Sequence, residues 1–163
     1  MKDLIRIFES SEGDVYLISL KEDCGIFSKK LIRSLGDVRL VGIELRRLAG
    51  INYTGHHVLR ALEETIADFF LNNENVIICY YCDFVNAIPR TNKSKIPPQA
   101  YRSRLFALMY QRFVKLHHVE GVRLSVVEVQ GINEKYYFHV IYREKHSLLA
   151  AIIGNDIKEG YGK

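Results

Sequence analysis

Hydrophobic and polar positions alternate over Val38–Leu48, with Val41, Ile43 and Leu45 on one side and Glu44 and Arg46 on the other. A period of two is the pattern of a strand with one wet face. Shorter alternations predict strands over Leu4–Glu9 and Val15–Leu20, joined by the turn Glu12-Gly13-Asp14. Val122–Gln130 and Lys135–Arg143 form a second hairpin about Gly131-Ile132-Asn133-Glu134. In its second arm Phe138, Val140 and Tyr142 share one side, and Tyr137, His139 and Arg143 the other. Val76–Cys82 is apolar throughout, as expected of a central strand covered on both faces.

Helical spacing replaces alternation over His56–Asn72, where Val58, Leu59, Leu62, Ile66, Phe69 and Phe70 recur three or four apart. A second helix opens at Pro98, a residue suited to a first turn, and runs to His118. At 100° per residue it places Tyr101, Leu105, Leu108, Met109 and Leu116 on one face, widened by Phe106, Tyr110 and Phe113. Arg102 and Arg112 fall inside or at the edge of that apolar sector. Ser147 caps a terminal helix reaching Lys158, and Phe27–Leu35 fits either an irregular edge segment or a helical turn. The order βββαβαββα predicts an α+β fold, one mixed sheet of about six strands with helices mainly on one face. The alternations further predict a helix-free face carrying Arg6, Glu44, Arg46, Tyr137, His139 and Arg143.

Composition confirms the class and adds one asymmetry. The chain has 163 residues, 48% of them hydrophobic and 26% charged, which suits a single globular domain over 1–163. Arg6 and Glu9 interrupt any apolar leader at the start, and no apolar run approaches a membrane span. A cytoplasmic location with no membrane partner is expected, and Cys24, Cys79 and Cys82 are expected as free thiols. Lysines and arginines number 23 against 19 acids, a net charge of +4. Between Asp83 and Glu120 there is no acid, only Arg90, Lys93, Lys95, Arg102, Arg104, Arg112 and Lys115. Without those seven the balance is 16 basic to 19 acidic, so the positive charge is local.

Three pieces carry a resemblance: His56–Phe70, Ile77–Asp83 and Tyr101-Arg102-Ser103-Arg104-Leu105-Phe106. In that order they resemble an uncharacterised family of short bacterial proteins of unknown function. The resemblance implies a single α+β domain and no activity. Where that pattern carries a tryptophan after the Leu-Phe pair, this chain has Met109 and no tryptophan.

The basic stretch 90–115 has two readings. It is an ordinary solvated loop and helix, or it binds an anion, with Arg90, Lys93, Lys95 and Arg104 as the ligand-binding set. Lysines beside a helix N-terminus reinforce its dipole at a phosphate. Asp83 ends a buried strand, where sheets place binding residues. It is either the catalytic carboxylate of a hydrolase or nuclease, or the structural ion-pair partner that a buried Arg102 requires. Cys79 and Cys82 have CxxC spacing, but residues three apart on a strand point to opposite faces, so packing is their expected role. Neighbouring histidines (His56-His57, His117-His118) diverge on a helix and have no metal-ligand spacing. No metal and no cofactor are expected. The sequence favours a small non-enzymatic module that recognises a phosphate-bearing ligand or nucleic acid. Rival readings are a homodimer or protein-interaction module using the open sheet face, and an enzyme centred on Asp83.

Overall fold

The structure, a computed structural model, describes residues 3–22, 25–82 and 95–161. Its elements are β1 (Leu4–Glu9), β2 (Val15–Glu22), α1 (Lys29–Ser34), β3 (Arg39–Ala49), α2 (His56–Leu71) and β4 (Val76–Cys82). They continue with α3 (Pro98–His117), β5 (Val122–Gln130), β6 (Lys135–Arg143), a 3-10 turn at Glu144–His146, and α4 (Ser147–Tyr161). The strands form one six-stranded sheet in the order β1-β2-β3-β4-β6-β5. Only β3 and β4 pair in parallel, because α2 carries the chain back across the sheet between them. The fold is therefore α+β with a mixed sheet. The ambiguous segment at Phe27–Leu35 is helical: Ser28 Oγ accepts from Leu31 N at 3.1 Å and caps α1.

Apolar residues of α2 and α3 fill one face of the sheet. Leu62, Ile66, Phe69 and Phe70 from α2 and Phe106, Met109 and Phe113 from α3 pack over Ile18, Leu20, Ile78 and Ile141. The other face holds a separate core, where Leu31 and Leu35 join Ala150, Ile153 and Ile157 of α4 over Ile77, Phe138 and Val140. Burying each large side chain contributes about 1.5–3 kcal/mol, so two such layers support a chain of this size. β4 lies at the centre with both faces covered, which is why its sequence never alternates.

Helices thus lie on both faces, the larger pair on one. The helix-free area is the outer face of β1, β2 and the C-terminal half of β3, where Glu44 and Arg46 stand in solvent. The other residues predicted there lie beneath α2 and α3. Arg6 Nη1 donates to Thr65 Oγ1 of α2 at 3.5 Å, Tyr137 packs on the α2/α3 core, and His139 is fully buried. Alternation in β6 correctly grouped Tyr137, His139 and Arg143, but period two reveals which residues share a face and not which face a helix covers. The α3 wheel was also off by part of a turn. Leu108 and Leu116 are 61% and 56% exposed, while the buried face is Gln99, Arg102, Ser103, Phe106, Met109 and Phe113.

Candidate functional site

α3 separates the basic residues into two groups. Arg102 points into the protein and is 5% exposed. Arg104 and Lys115 lie outward with Leu108 and Gln111, at the spacing i, i+4, i+7, i+11 that makes one stripe along a helix. Exposed Arg112 lies beside the stripe, its Nε 3.7 Å from Glu63 Oε1. Lys95 is exposed where the chain enters the helix. Among the described residues Lys95, Arg104 and Lys115 have no acidic partner within ion-pair distance. Pro97 and Pro98 start α3 without a side-chain cap, and no acid follows within the helix. Its outward surface therefore carries, among the described residues, cations without an acidic partner beside exposed leucine. Arg90, Lys93 and Asp83, the remaining predicted site residues, lie outside the described residues, as does any pairing of Asp83 with Arg102.

Beneath the first two turns of α3 is a buried polar cluster, of which the sequence reading anticipated Arg102 alone. Gln99, Arg102 and Ser103 are each at least nine-tenths buried on the inward side of α3. Ser103 Oγ lies 2.8 Å from His139 Nε2, the tautomer deciding which group donates. Gln99 Nε2 donates to Glu134 Oε2 at 3.4 Å in the β5–β6 turn. The His139 imidazole meets the edge of Phe106, with ring centroids 5.5 Å apart, and Phe106 stacks on Tyr80 at 4.1 Å. Burial lowers the His139 pKa to about 4, so the ring is neutral at pH 7. This cluster anchors the helix that displays the basic stripe. It is a weak candidate for nucleophilic chemistry: the serine–histidine pair has no orienting acid at His139 Nδ1, which lacks a partner among the described residues, and both side chains are buried.

Cys79 and Cys82 are buried and belong to opposite cores. The His56 and His57 rings are 4.0 Å apart at the start of α2, and among the described residues no group of three His, Cys, Asp or Glu is placed to hold a metal ion. No described helix is long and apolar enough to cross a membrane. Comparison of the chain with protein-family models, with curated proteins and with solved structures finds no match in any of the three.

Proposed function

We propose that this chain is a non-enzymatic binding module whose partner is anionic, a phosphate-bearing ligand or a nucleic acid, engaged along α3 and the approach to its N-terminus. The observation that carries the reading is the set of exposed cations at Lys95, Arg104 and Lys115, which have no acidic partner among the described residues, on and beside a helix with no acid of its own. Proteins normally intersperse charges of both signs on a solvated helix, and a helix surface bearing cations and no acids raises the local concentration of anions. Arg104 and Lys95 would position phosphates as point or forked charges without reading a base sequence. Titration of short single-stranded DNA and of inorganic polyphosphate into the protein at low salt tests this. Binding that disappears in Lys95→Glu/Arg104→Glu, with the thermal melt unchanged, is the expected result. No binding of either polyanion would remove the reading.

A further inference from the structure

The helix-free half of the sheet has a layout that fits a copy of itself. Strand registers place its outward residues in rows: Ile7 beside Leu17 beside Arg46, then Ile5 beside Ser19 beside Glu44. Glu9 lies beyond the first row on β1, Lys21 beyond the second on β2, and Asp3 just before β1 on the same side as Ile5. Ile5 and Ile7 are 55% and 63% exposed, although their neighbours Leu4 and Phe8 pack inward against the core. No described helix covers them. The charges around this apolar centre are three acids, Asp3, Glu9 and Glu44, and two bases, Lys21 and Arg46, with Glu44 3.6 Å from Arg46 and 3.9 Å from Lys21 within one copy, so the face is strongly of neither sign.

We propose that a second copy of this chain packs face to face on the outer surface of β1–β3, about a two-fold axis running across the strands between these two rows. That operator sets Ile7 against the other copy's Ile5. It sets Arg46 against the other copy's Glu44, and by symmetry Glu44 against Arg46. Lys21 then faces the row holding the other copy's Glu9. Arg46 and Glu44 each meet the opposite sign, Glu9 meets Asp3 at the rim with Lys21 beside it, and the isoleucines close over one another as in an aligned sheet sandwich. A two-fold axis along the strands would leave Arg46 and Glu44 facing the β1 isoleucines, so the charge pattern selects the first operator. Three short strands offer fewer than the about 20–30 residues per side of a standard interface, so a dissociation constant in the micromolar range is expected.

Sedimentation velocity from about 10 µM to about 1 mM brackets that range. The wild type is expected to move from monomer to dimer across it. Glu44→Arg alone and Arg46→Glu alone each place like charges in register and should weaken association at least about tenfold. Mixing the two variants should restore it, because one copy then presents two cations and the other two acids. Ile7→Lys, at an exposed position, should abolish the dimer while circular dichroism shows the native fold. A wild type that stays monomeric throughout overturns the proposal. So does a dimer indifferent to Ile7→Lys and to both charge reversals. Arg104→Glu serves as the control, since α3 lies on the opposite face and its charge should not affect self-association.

Discussion

Arg143 caps the end of a helix to which it does not belong. Its Nη2 donates to Phe70 O at 2.7 Å, and its Nη1 to Asn73 O at 2.9 Å and Glu74 O at 3.1 Å. The guanidinium also lies 4.2 Å above the Phe70 ring. Carbonyls left over at a helix C-terminus carry partial negative charge, so a forked cation suits them. Arg143→Ala should lower stability by about 2 kcal/mol in urea denaturation, and Arg143→Lys should recover only part of it, since an ammonium does not reproduce the fork. A lysine variant as stable as the wild type would contradict this. His139 makes a pH prediction. Its folded pKa is about 4, lowered by burial, against an unfolded value near 6.5. Its contribution is complete above about pH 6.5, falls as the unfolded chain takes up the proton, and is spent by about pH 4, roughly 3 kcal/mol in all. The difference in stability between wild type and His139→Gln, measured from pH 7 to pH 4, should shrink accordingly. A difference constant with pH would show that the ring does not titrate as burial requires. Gly50 has φ +101, and a Cβ there would lie 1.6 Å from Asp14 Oδ1. Gly50→Ala should therefore displace the buried Asp14 carboxylate that accepts from Asn52 N, a loss of at least about 1 kcal/mol readable as a lower melting temperature.

At the scale of elements, α3 is a helix with two polar duties. Its inward side holds Arg102, and Arg102→Ala should destabilise the fold by about 2 kcal/mol while Lys95→Ala and Arg104→Ala change it by less than about 0.5 kcal/mol. Equal urea midpoints for the three variants would place Arg102 on the surface. The element boundaries were legible in the chain: β1, β4, β5 and β6 begin and end where alternation or the apolar run does. What was not legible is which side of an element faces inward when both sides have reasons to. In β6 the polar side goes in because Ser103 receives His139 and the carbonyls at and just beyond the end of α2 receive Arg143, and those partners are distant in sequence. In α3, Leu108 and Leu116 compete with Phe106 and Phe113 for burial, and the larger aromatic set prevails, aided by polar partners at Gln99 and Ser103. Specific side-chain pairing across a sheet is a tertiary fact that local periodicity does not contain.

For the whole molecule, the outcome is a sheet with cores on both faces and an uneven charge distribution. The outer β1–β3 surface carries charges of both signs around an apolar centre, which suits self-association. The outer surface of α3 is cationic, which suits an anion. Because the two lie on opposite faces of the sheet, a dimer formed through the first would leave the second open on both copies. The central claim is that the stripe binds phosphates by charge alone, and its salt dependence tests this most directly. Fluorescence anisotropy with a labelled single-stranded oligonucleotide, titrated between about 50 and 200 mM salt, gives the slope of log affinity against log salt. If Lys95 and Arg104 each neutralise one phosphate, Lys95→Gln/Arg104→Gln should flatten that slope by about 1.4 without altering the melt. No binding at the lower salt, or a slope that the double variant leaves unchanged, would contradict the account.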